Sequence, residues 1–222
     1  MSNIIINAYT ATPAWEYTAD LSTETGWTKS GTQVGFSGGK MQFTGMTQGS
    51  TDYIGRLFPD GHVLSDTMWT QIGNAVNLQS GTTTPAPCFY GLCTDLVNFG
   101  DATATSCLSS LLNGAGAAPT NRAISKLSGD SGSVAYSLYY TGSRGTEYWT
   151  TLWRESATSS NFRVWSDSSR ATNVFDSTFT INSGIISLDN MIGTGQSASV
   201  PSRNSTGYIT ELSWKDEVNV DS

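Results

Sequence analysis

The sequence predicts an all-β chain, a single jelly-roll-like sandwich of two antiparallel sheets. Three observations carry that expectation. Short runs of alternating apolar and polar residues recur along the 222 residues, punctuated by Gly, Asn, Asp and Ser. Charged residues make up only 13% of the chain, so hydroxyls rather than charges keep it soluble, and its Thr, Val, Tyr and Trp suit a pleated, half-buried surface. Little helix is expected, and 94–121 is the least strand-like stretch.

In chain order, residues 1–20 read as an N-terminal strand or arm and residues 21–222 as the sandwich. Ile4, Ile5 and Ile6 are too apolar to stand in water, while Pro13 disfavours a central strand. The arm is therefore expected to dock on a sheet edge of its own chain or of another subunit. Strands follow at Gly26–Gly31, Ser37–Phe43, Tyr53–Leu57, Met68–Val76 and Phe89–Cys93. Residues 94–121 read as an insertion, with a short helix over Ala104–Leu112 weakened by its Ser and Thr, and a loop at Gly114–Pro119. Strands resume at Val134–Tyr140, Phe175–Ile181, Ile185–Met191 and Gly207–Lys215.

The stretch 147–167 is a hairpin with two different faces. With a turn of about three residues near Ser159, alternation places Tyr148, Leu152, Phe162 and Val164 on one face. Trp149, Trp153, Glu155, Arg163, Trp165 and Asp167 fall on the other. The first set is core material. The second is aromatic and charged, the composition of an exposed face that holds a sugar or a partner protein, so Trp149, Trp153, Arg163, Trp165 and Asp167 are the candidate ligand-binding residues. A one-residue slip in register would exchange the faces.

Several functions are disfavoured. The formal net charge is −7, and no Lys or Arg occurs between Arg56 and Arg122. Phosphate-backbone binding needs clustered cations, so nucleic acid is not an expected partner. No apolar run approaches the roughly 20 residues of a membrane span. The first residues lack the basic and apolar regions of a secretory signal, as in a viral structural protein made in its host's cytoplasm, or in a cytosolic protein. Cys88, Cys93 and Cys107 are an odd set. Cys88 and Cys93 close a small loop if oxidised, although buried thiols are the simpler reading.

Three segments resemble the concanavalin A-like lectin and glucanase jelly rolls, including laminin G-like modules. They are the pair Tyr148–Arg154 and Asn161–Asp167, the Ile185–Met191 run, and the closing Gly207-Tyr-Ile-Thr-Glu-Leu-Ser-Trp. The resemblance implies a fold that serves glycan binding, glycan cleavage or purely structural roles. The Glu-x-Asp-x-(x)-Glu strand motif of the hydrolases it resembles is missing here. Glu147 and Glu155 lie eight residues apart, about 26 Å along an extended strand, too far for a paired acid and nucleophile. Glu211 with Asp216 or Glu217 reads as a solvated face. His62, the only histidine, lies in a turn marked by Asp60-Gly61 and has no nucleophile elbow to serve. Asp60 and Asp66 in the same loop offer oxygens of the kind calcium takes; no other cofactor is expected.

Two functional readings stand. The first is a non-catalytic structural and adhesion protein on the surface of a viral particle, such as a phage capsid decoration, head fibre or tail component. It would contact other subunits, form a homo-oligomer and bind a glycan or partner through the hairpin face. The second is a free carbohydrate-binding module, or a hydrolase or lyase of the same fold, extracellular or cytoplasmic.

Overall fold

The computed structural model describes residues 15–47, 52–77, 88–95, 106–115, 118–127, 134–193 and 204–216. Seventeen strands account for most of them. They are β1 (Glu16–Thr18), β2 (Thr28–Ser30), β3 (Val34–Ser37), β4 (Lys40–Thr47), β5 (Tyr53–Leu57), β6 (Trp69–Asn77), β7 (Cys88–Cys93), β8 (Cys107–Ala115) and β9 (Ala118–Lys126). Then come β10 (Val134–Tyr136), β11 (Tyr140–Thr141), β12 (Glu147–Arg154), β13 (Ser159–Trp165), β14 (Asn173–Thr180), β15 (Asn190–Gly193), β16 (Asn204–Ile209) and β17 (Leu212–Lys215). One sheet runs β14-β13-β12-β6-β16-β4-β3, with β17 also on β6 and β1 on β17. The other runs β10-β9-β8-β7-β15-β5-β2, with β11 also on β9. Every pairing is antiparallel. This is the expected two-sheet sandwich.

Local chemistry explains the corners. Ser37 pairs with Lys40 across Gly38 and Gly39, whose φ values of +60° and +73° are those of a two-residue hairpin turn. Strand β6 is the spine of the first sheet, with β12 along one side and β16, then β17, along the other. The break between β16 and β17 is closed by Asn74, whose Oδ1 accepts the Thr210 and Glu211 amides at 2.7 and 3.0 Å. Backbone groups that lose a ladder partner there are thus still satisfied.

The core fills the space between the sheets. Met41, Phe43, Trp69, Leu152, Phe162 and Val164 meet Ile54, Leu92, Leu108 and Met191, all wholly buried. Each large apolar side chain buried in this way contributes about 1.5–3 kcal/mol. Two polar bridges cross the core. Tyr90 Oη lies 2.6 Å from Thr150 Oγ1, and burial pushes this phenol up to about 12. Trp214 Nε1 donates to Gln71 Oε1 at 2.9 Å, and Gln71 Nε2 donates to Ser110 Oγ at 3.3 Å. Tyr90 needs glycine at position 73, because a Cβ there would stand 2.7 Å from its ring. Arg154 is fully buried at the end of β12 and donates to the carbonyls of Ile185, Ala157 and Ser156 at 2.7, 3.0 and 3.1 Å.

Four expectations change. Residues 107–115 form strand β8 rather than part of a helix, because β7 and β9 pair with it on both sides and this pairing overrides a weak local preference. Val134–Tyr140 divides into β10 and β11, and in the Ile185–Met191 run the strand begins only at Asn190. Cys88 and Cys93 sit at opposite ends of β7, about 17 Å apart, so they cannot bridge each other; Cys93 faces Cys107 across the ladder instead. Of the N-terminal arm, Glu16–Thr18 joins the first sheet against β17, while residues 1–14 lie outside the described residues.

Candidate functional site

The hairpin register settles which residues share a face. Leu152 pairs with Phe162, and Thr150 with Val164, toward the core. Trp149 pairs with Trp165, Thr151 with Arg163, and Trp153 with Asn161, on the outer face of the sheet. Alternation thus sorts the strand residues between the two faces, whereas Asp167 lies past the end of β13 in the loop 166–172. Exposure is a different matter. Trp153 and Trp165 are only 3% and 8% exposed although they point away from the core.

Arg163 is the reason. Its guanidinium carbon lies 5.1 Å from the Trp153 ring centre and 5.2 Å from that of Trp165, within cation–π range of both. Asp176 on β14 holds the guanidinium there, with Oδ2 accepting from Nε at 2.9 Å and from Nη2 at 2.7 Å. Both indole N–H groups are bonded, Trp153 to Glu155 Oε1 at 3.2 Å and Trp165 to Thr151 Oγ1 at 3.1 Å. The two tryptophans form the floor beneath a polar layer rather than a bare platform.

Beside them opens a cavity of about 550 Å³, lined by Trp153, Glu155, Asn161, Arg163, Asp176 and Thr178. Asn161 is 5% exposed and accepts a hydrogen bond from the Thr178 hydroxyl, yet its Nδ2 has no partner among the described residues. A buried donor left unmade is costly.

The loop 166–172 walls this face on one side. Asp167 builds the loop: its Oδ1 accepts from Ser169 Oγ at 2.5 Å and the Ala171 amide at 3.1 Å, and its Oδ2 accepts from the Thr172 amide at 2.8 Å. These bonds hold its carboxyl down to about 2. Arg170, at φ +55°, then reaches across β12 and β6 to Glu211, with Nη2 donating to Oε2 at 2.8 Å. The loop therefore crosses the end of the face where Trp165, Trp149 and Asn74 lie side by side. Asp167 acts on the site by shaping this wall.

No family model matches the chain, and no curated protein matches it in sequence. Solved structures do match. The CBM2 module of the evolved Dit protein of Lactobacillus casei BL23 phage J-1 superposes with a TM-score of 0.57 at 10% identity, covering 94% of this chain and all of that one. Peanut lectin superposes at 0.61 with 10% identity, covering 92% of this chain and 97% of that one. The Bauhinia forficata lectin, solved with GalNAc, superposes at 0.56 with 12% identity, covering 91% and 97%. The fold is the lectin-like jelly roll. A GH43 protein of Bacillus licheniformis also superposes, at 0.58 with 8% identity, over 90% of this chain and 39% of that one.

In this jelly roll the other residues singled out from sequence lie elsewhere. Asp60 is exposed at φ +58° in a 3-10 turn at Pro59–Gly61, and Asp66 Oδ1 accepts the Ser187 amide at 2.9 Å. No group of three or more His, Cys, Asp and Glu side chains suited to a metal occurs among the described residues. His62 stacks on Trp15, ring centres 3.7 Å apart, and its Nε2 lies 2.6 Å from Asp216 Oδ2. It clasps the last strand to the first. Glu147 Oε1 takes hydrogen bonds from Asn74 Nδ2 at 2.6 Å and Thr210 Oγ1 at 2.8 Å, which ties it to the β16–β17 break. Asn161, Asp176, Thr178 and Arg170 escaped the sequence reading. Asn161 alone had a usable signal, since it shares the parity of Arg163.

Proposed function

We propose that this chain is a non-catalytic glycan-binding protein that holds its ligand on the outer face of the hairpin sheet. One observation carries the reading: the cavity at Trp153 combines acceptors (Glu155 and Asp176) with a charged donor (Arg163) over an indole floor, beside the Asn161 amide. Adjacent sugar hydroxyls each donate and accept, and a carboxylate beside an amide or guanidinium matches that pattern. The carbohydrate-binding module and lectins of the same fold support the reading.

The setting we propose is the surface of a viral particle, as a subunit of a capsid, head-fibre or tail assembly. The phage Dit module supports this, as does a charge-poor, hydroxyl-rich composition. The purified chain on a glycan microarray should retain a restricted set of glycans, and Asn161→Ala should lose them while keeping the parent melting temperature. No retention on a broad array would overturn the glycan reading. Mass spectrometry of purified particles tests the setting: the chain should be present at stoichiometric copy number.

A further inference from the structure

The outer face holds a second cavity, of about 290 Å³, lined by Glu16, Thr18, Thr70, Arg170, Glu211, Ser213 and Lys215. Register places it in line with the first. Glu16 pairs with Lys215, Lys215 with Thr70, Thr70 with Trp153, Trp153 with Asn161, and Asn161 with Thr178. These six residues make one row straight across six strands, about 24 Å at the usual strand spacing. Trp153 stands between the two cavities. Their centres are about three strand spacings apart, roughly 14 Å, farther than one monosaccharide reaches. The Arg170–Glu211 pair lines the second cavity.

We infer that the ligand is a linear, uncharged oligosaccharide lying across the strands, with one segment in the Trp153–Asp176 cavity and another in the Arg170–Lys215 cavity. This rests on the glycan reading above. Polarity supports the class: the two cavities present four carboxylates (Glu16, Glu155, Asp176 and Glu211) against three cations (Arg163, Arg170 and Lys215). Arg163 and Arg170 are each held by one of those carboxylates, at 2.7 and 2.8 Å. A chain of uronates or sulfated sugars would bring its charges to a face that is already net negative, and repulsion there disfavours it. Hydroxyl-rich neutral units find donors and acceptors in both cavities.

The test is calorimetric titration of the intact chain with ladders of one to six units from neutral gluco-, xylo- and galacto-oligosaccharides, and from oligogalacturonate. Affinity should rise by about tenfold or more between one and four units of the best neutral series, as a second cavity becomes engaged, and oligogalacturonate should bind more weakly at every length. Ser213→Trp, which fills the second cavity, should remove the gain at four units. An affinity that is flat with length overturns this inference and leaves the glycan reading intact, and a preference for oligogalacturonate overturns the charge argument. Failure of every ladder to bind overturns both. The length dependence needs no variant, so poor folding of Ser213→Trp does not blunt the test.

Discussion

The two faces of the β12–β13 hairpin share a backbone and differ in almost everything else. On the inner side Leu152, Phe162 and Val164 are fully buried against apolar neighbours. On the outer side Trp153 and Trp165 are nearly as buried, yet each indole N–H is bonded and both rings carry Arg163 above them. Burial alone does not tell these faces apart. Chemistry does: the inner side chains act through their volume, and the outer ones through the polar groups they keep in place.

That contrast can be broken at the inner face first. Phe162→Ala should cost about 3–5 kcal/mol, because a large cavity opens between the sheets. Urea unfolding would measure it, and glycan affinity of the folded fraction should not change. At the outer face the balance reverses. Arg163→Ala should lower stability by about 1 kcal/mol at most, as the pair with Asp176 is partly exposed, while glycan affinity falls by about 1.5–3 kcal/mol with the loss of a charged donor. Denaturation and titration on the same sample separate the two effects.

Acid sharpens the comparison at the wall. Asp167 is held at about 2 in the folded chain against an ordinary 3.8. Its folded value is the lower one, so its stabilising contribution is complete above about 3.8 and disappears as pH falls through about 2. Melting temperature should decline over that window, and Asp167→Asn should flatten the decline without touching the inner face. The smallest effect is expected at Asp60 and Asp66. Since Asp66 already accepts the Ser187 amide, chelating calcium should leave the melting temperature in place, whereas a calcium-dependent rise would put an ion at that loop.

How much of this was legible in the sequence follows from distance along the chain. Alternation within 147–167 sorted Leu152 from Trp153, because the period of a strand is local. The cover over Trp153 was not legible. It depends on Asp176, which reaches Arg163 only once β14 pairs with β13. Glu211 looked solvated for the same reason, since its partner Arg170 stands 41 residues earlier. The second cavity lies furthest from any sequence pattern, for β1 and β17 bring opposite ends of the chain together. Residues 107–115 show the converse error, where a weak local helix preference gave way to strand neighbours on both sides.

The outer face as the ligand surface is tested most directly by NMR titration of the isotopically labelled chain with the glycan that binds best on the array. Each indole N–H gives its own resonance. The Trp153 signal and the Asn161 side-chain amide should shift in proportion to saturation, while Trp69 and Trp214, buried between the sheets, stay still. Shifts confined to the 57–66 and 182–189 loops at the end of the sandwich, with Trp153 and Asn161 unmoved, would contradict it.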